Sequence, residues 1–126
     1  MGNPFVHIEL VSTDVKKAKS FYGKLFKWKL DDVDIGDMIY TVVKVGEGTG
    51  GGLMQNPMRD GHSMWIAYVK VGNVKKATSK AKALGAKVKK DVTEVEGVGR
   101  LSIISDPTGA LLGLWEPRKK AKKKKS

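Results

Sequence analysis

The chain has no cysteine, only four prolines and few aromatic residues, and it has no long apolar run. Without cysteine there is no disulfide scaffold, no thiolate nucleophile, no zinc ribbon and no iron–sulfur cluster. No segment approaches the ~20 apolar residues that a membrane span requires. The start, Met1-Gly2-Asn3-Pro4-Phe5, carries neither a basic stretch nor an apolar one, and position 6 is Val where a myristoylation signal needs Ser or Thr. The expectation is a soluble, cytoplasmic protein that makes no membrane contact.

Acidic residues are also scarce. There are 13 Asp and Glu against 24 Lys and Arg among 126 residues, a formal net charge of +11. An excess of that size points first to nucleic acid, but its location weakens the argument. Seven of the basic residues fall in 118–126, where there is no acid, and the preceding 117 residues hold 17 basic and 13 acidic side chains, a net +4. A run of like charges repels itself and buries no apolar area, so 118–126 is expected to be a disordered tail. It serves either as a solubilising end or as an arm that takes nucleic acid non-specifically.

The length suits one domain, and that domain repeats internally. Asp14-Val15-Lys16-Lys17-Ala18 returns 59 residues later as Asn73-Val74-Lys75-Lys76-Ala77. Each copy opens a helical pattern: Val15, Ala18, Tyr22, Leu25 and Phe26 share one face in the first, and Val74, Ala77, Ala81 and Leu84 in the second, with lysines outside. Asp14 and Asn73 suit N-cap positions, and Gly85 suits the stop of the second helix. Trp28 and Trp65 are expected in the core.

A strand pattern precedes each helix, Val6 to Val11 and Trp65 to Val71, and three follow it. These are 28–30, 38–45 and 52–55 in the first half, and 87–92, 100–104 and 111–115 in the second. The chain therefore reads as α+β, βαβββ written twice, with module one at about 5–57 and module two at about 62–117. Two such modules side by side are expected to curve a mixed sheet around a cleft, where a small molecule would bind.

Several segments carry a family resemblance: Phe5-Val6-His7-Ile8-Glu9-Leu10, Val15 to Tyr22 followed by Leu25-Phe26, Ala83-Leu84-Gly85-Ala86, Ser105-Asp106-Pro107-Thr108-Gly109 and Gly113-Leu114-Trp115-Glu116-Pro117. Over 5–117 the chain resembles the vicinal oxygen chelate superfamily of glyoxalases, bleomycin-resistance proteins and extradiol dioxygenases. It looks most like the small bacterial branch related to lactoylglutathione lyase. The resemblance implies a homodimer, and a divalent metal held by four side chains, one from the first and one from the fourth strand of each module. Those positions fall on His7, Ile66, Gly52 and Gly113, so His7 is the single surviving ligand. About three protein ligands are needed to hold a catalytic ion, and no cofactor is predicted.

Strand alternation places His7, Glu9, Ile66 and Tyr68 toward the cleft, with Met54 and Trp115 on the face of Gly52 and Gly113. The glycines are expected to leave space where ligands would stand, Trp115 and Tyr68 to offer stacking surfaces, and Arg100 to reach the cleft mouth for an anionic group. The leading expectation is a binder of a small amphipathic or aromatic molecule that lacks a complete metal site. The alternatives are a glyoxalase-like lyase or isomerase with His7 and Glu9 as acid–base pair, and a polyanion-associated protein acting through its tail.

Overall fold

The computed structural model describes residues 2–34, 38–57, 61–95 and 97–118. The element order is β1 (Phe5–Ser12), α1 (Val15–Leu25), β2 (Lys29–Asp34), β3 (Ile39–Lys44), β4 (Gly51–Gln55), β5 (Met64–Lys70), α2 (Val74–Ala83), β6 (Lys87–Val95), β7 (Gly99–Ser105) and β8 (Leu111–Pro117). This is α+β with βαβββ in tandem, as the repeat predicts. Residues 119–126 of the basic tail lie outside the described residues. Its first residue, Arg118, donates its backbone N–H to the Val98 carbonyl at 2.9 Å.

The chain forms two compact units, one of residues 4–68 and one of 1–3 with 69–126, so the division falls inside β5. In the first unit the strands run in the order β2-β3-β4-β1-β5. β1 pairs with β4 in parallel, Glu9 opposite Gly52, and β3 is antiparallel to β4, Val42 opposite Gly52. One sheet face carries Leu10, Val43 and Leu53, against which Val15, Ala18 and Tyr22 of α1 pack together with Trp28 and Leu30. Burial of Leu10, Val43 and Leu53 contributes roughly 1.5–3 kcal/mol for each side chain. Alternation then sends His7, Glu9 and Val11 to the opposite face.

Asp14 caps α1 as expected, its carboxylate accepting from the Lys17 N–H at 3.0 Å. Lys19 on the same helix reaches Asp32 of β2 at 2.8 Å, and the Thr41 hydroxyl donates to that carboxylate at 2.8 Å. The C-terminal end of α1 departs from expectation. Leu25 and Phe26 are exposed, and Trp65, expected in the core, is 41% exposed. Trp65 instead joins a ring cluster, meeting Tyr22 and Trp28 edge-on at 5.4 and 6.3 Å.

In the second unit β8, β7 and β6 are neighbours in that order and antiparallel. The pairing of β6 with β7 shifts register twice between Val88 and Thr93. α2 covers Ile104 and Leu114 with Val74, Ala77 and Ala81, while Leu84 is 70% exposed rather than part of that face. Leu84 is the C-cap, already outside the helical repeat. Gly85 follows at φ +104°, with its N–H on the Lys82 carbonyl and that of Ala86 on Ala81, which is how a left-handed glycine closes a helix.

Candidate functional site

β1 supplies the polar groups of the first unit. Glu9 is 3% exposed, and a buried carboxylate is tolerated only where donors meet it. Two phenols do so: the Tyr40 hydroxyl donates to Oε1 at 3.1 Å and the Tyr68 hydroxyl to Oε2 at 3.2 Å. His7, two residues away on the same face, places Nε2 2.7 Å from the Tyr40 oxygen and 3.9 Å from Glu9 Oε1. Its ring stacks at 6.4 Å on Tyr40 and meets Tyr68 edge-on at 5.7 Å. The result is a continuous set, His7 to Tyr40 to Glu9 to Tyr68, in which His7 is the end open to solvent, its side chain 31% exposed.

Burial holds the His7 imidazole below its ordinary value, so it is neutral at pH 7. Both phenols are pushed far above theirs, by burial first and then by the charge of Glu9. They stay protonated and act as donors. A shallow concavity of about 520 Å³ opens beside His7, lined by Val42, Lys44, Gly46, Gly48 and Gly50 among others.

Tyr40 is the member that sequence reasoning missed, and Gly52 explains its place. A Cβ on Gly52 would overlap the hydroxyl and ring of Tyr40. The expectation of empty space at Gly52 is therefore corrected: a phenol from the next strand fills it. A signal for this existed, since a glycine lay on the His7 face beside a strand bearing an aromatic residue. Using it required the β3–β4 register.

The other expected residues divide by unit. Ile66 and Tyr68 are each 1% exposed, so Tyr68 offers no open ring to stack on and instead commits its hydroxyl to Glu9. Met54 is half-buried on the Gly52 face. In the second unit Gly113 is buried and Trp115 half-buried, with the Trp115 indole lying against Gly99, where a Cβ would crowd it.

Arg100 does not join Gly113 and Trp115. It pairs across β7 and β8 with Glu116, on the face that packs α2, and donates to its Oε2 at 3.1 Å. The anion it reaches is thus a carboxylate of its own chain. Glu116 in turn accepts from the Val74 N–H at 2.9 Å through Oε1, supplying the negative charge that the first turn of α2 lacks.

Two βαβββ repeats, with polar chemistry concentrated on the first strand of one of them, define a duplicated α+β fold. The chain belongs to the Glyoxalase/Bleomycin resistance protein/Dioxygenase superfamily, which it matches over residues 5–114. It is 31% identical over 114 residues to the putative glyoxylase CFP32 of Mycobacterium bovis, a match covering 86% of this chain and 44% of CFP32. The chain thus spans less than half the length of that curated relative.

Among solved structures it is similar to hypothetical protein BH1468 from Bacillus halodurans C-125, with TM-score 0.69 and 19% identity over 97% of this chain and 99% of that one. It is also similar to methylmalonyl-CoA epimerase from Mycobacterium tuberculosis, with TM-score 0.65 and 16% identity over 91% and 88%. At such identities the likeness is one of fold.

Among the described residues, the side chains around His7 do not fit the divalent metal that the family resemblance implies. Among the described residues no three His, Cys, Asp or Glu side chains converge. The oxygen closest to His7 Nε2 belongs to a protonated phenol, a poor ligand beside the thiolate, imidazole or carboxylate that such ions require.

Proposed function

We propose that this protein binds a small amphipathic or aromatic molecule against the His7 face of β1, without a resident metal. The carrying observation is that His7 is a neutral, partly open imidazole anchored to a buried carboxylate through Tyr40. Such a group can fix one polar end of a ligand while apolar surface holds the rest. Self-association, which the family resemblance implies, belongs to the same reading and is checked by sedimentation velocity. The test of binding is native mass spectrometry of the purified protein for co-purified small molecules, with metal analysis alongside. A retained organic molecule lost in His7→Ala supports the reading. One stoichiometric Ni, Zn, Mn or Fe ion lost in that variant overturns it.

A second reading, a lyase or isomerase that moves a proton, is favoured by the 2.7 Å contact between His7 and a hydroxyl that also meets a carboxylate. The name of the CFP32 relative points the same way. In this reading His7 exchanges a proton with the ligand while Glu9 and Tyr40 orient the ring. Exchange of solvent deuterium into the retained molecule, abolished in His7→Gln, distinguishes this from binding alone.

A further inference from the structure

We propose that the second unit carries a docking surface for the phosphate backbone of duplex nucleic acid, formed by the lysines of α2 beside β6 and independent of the basic tail. The observation that carries it is where the folded body keeps its charge. Residues 4–68 hold eight basic and eight acidic side chains, so the first unit is balanced. Residues 69–117 hold nine basic and five acidic ones, so the whole net +4 of residues 1–117 falls on the second unit.

The two helices carry similar lysines and differ in what answers them. In the first unit β2 brings three aspartates, and Lys19 meets Asp32 at 2.8 Å while Lys44 meets Asp31 at 3.1 Å. In the second, residues 73–90 contain seven lysines and no acid. Two of the acids elsewhere in that unit are engaged, Glu116 by Arg100 and the Val74 N–H, and Asp106 by the N–H groups of Thr108 and Ala110. Lys75, Lys76, Lys80 and Lys82 are exposed. Among the described residues none of the four forms an ion pair.

Lys75, Ser79 and Lys82 line a groove of about 450 Å³ between α2 and β6, with Thr78, Val88 and Val92. Asp91 lines it too and commits Oδ1 to the Val92 N–H at 2.8 Å. Lys75 and Lys82 are two helical turns apart, about 10 Å along the axis. Over that span one strand of a duplex presents about three phosphates. Val74–Ala83 holds no Arg, Asn, Gln or aromatic side chain to read base edges or to stack on unpaired bases. The partner is therefore a duplex held through its backbone whatever its sequence, with binding driven by release of counterions. An acidic peptide fits less well, since the one large apolar side chain exposed at this helix is Leu84 at its C-cap, which offers little anchorage.

The test uses the full-length chain with the six lysines of 119–126 changed to Gln, which removes the charge of the tail. Binding of a fluorescent DNA duplex is measured across a salt series, and it should persist in this background. Lys75→Gln, Lys76→Gln and Lys82→Gln together should flatten the slope of log affinity against log salt by about 3, near 1 for each lysine. The matched change on α1, Lys16→Gln, Lys17→Gln and Lys24→Gln, removes the same charge from the balanced unit and should leave the slope nearly unchanged. All six positions are exposed, so both triple variants should keep the fold, which circular dichroism checks. Loss of all binding once the tail is neutral overturns the proposal, and so do equal slopes in the two triple variants. A preference between duplexes of different sequence overturns the backbone reading. Retention of polyglutamate through the α2 lysines, with none of DNA, overturns the choice of partner.

Discussion

The hydroxyl of Tyr40 occupies the place where the side chain of residue 52 would begin. Gly52 is opposite Glu9 on one side and Val42 on the other, so its bare backbone is what lets a phenol lie between His7 and Glu9. Space at one residue and a hydrogen bond at another are therefore a single feature.

Gly52→Ala should consequently destabilise the fold by about 1–3 kcal/mol, the usual cost of overpacking a filled site. Combining it with Tyr40→Ala should cost clearly less than the two changes summed, because the methyl group then enters the volume the ring has left. Urea denaturation of the four proteins checks this. Strictly additive losses would mean that the ring and the new methyl group do not meet.

The two phenols should be worth most when Glu9 is present to receive them. Tyr68→Phe removes one hydrogen-bond donor from a buried carboxyl group, at about 1–3 kcal/mol. In a Glu9→Leu background the same change should cost much less, since no acceptor remains to receive the hydroxyl. Equal costs in the two backgrounds, read from denaturation midpoints, would show that the hydrogen bond contributes nothing.

His7 should make stability depend on pH in a defined window. Burial lowers its pKa in the folded state below the ordinary value of about 6.5. Between those two values the unfolded chain binds more protons, so stability is complete above about pH 6.5, falls as pH drops through the window, and levels off below the folded value. Asp32 and Asp106 are held below the ordinary carboxylate value by hydrogen bonds, first from Lys19 and from Thr108 respectively, so they act only at more acid pH. The difference in melting temperature between the wild type and His7→Gln, followed from pH 8 to pH 5, isolates the effect. A flat difference would refute it.

Glu116 should prove structural. It caps α2 through Val74 and holds Arg100, so Glu116→Ala should cost about 1–2 kcal/mol by loss of the cap and its charge. Arg100→Ala should cost less, because it leaves the capping bond intact. If Arg100→Ala instead weakened retention of a co-purified molecule without lowering stability, the residue would return to the ligand site.

Much of this molecule was legible in its residues. The 59-residue repeat gave the element order, and Asp14, Asn73 and Gly85 marked helix ends by local chemistry that needs no tertiary information. Period-two alternation put His7 and Glu9 on the face away from α1. What alternation could not supply is which residue from a neighbouring strand stands beside them. Tyr40 was only one residue of a strand pattern until the β3–β4 register placed it over Gly52. Arg100 shows the same limit: its strand was correctly read, but its partner Glu116 lies 16 positions away and is set by the pairing of β7 with β8. Leu25, Phe26 and Leu84 failed for a different reason, as apolar positions at helix ends where the packing face has already run out.

Glu9 and Tyr68 are separated by 59 residues, the offset of the repeat itself, and they are bonded to each other. A faithful duplication would have set like against like at this pair, two carboxylates in mutual repulsion or two phenols with no charge to receive their protons. An acid matched to a donor requires the two copies to differ at this position. Covalent linkage permits that, because each copy can then be altered alone. The polarity of the His7 site is thus a product of broken symmetry, and an assembly of identical single repeats could not encode it.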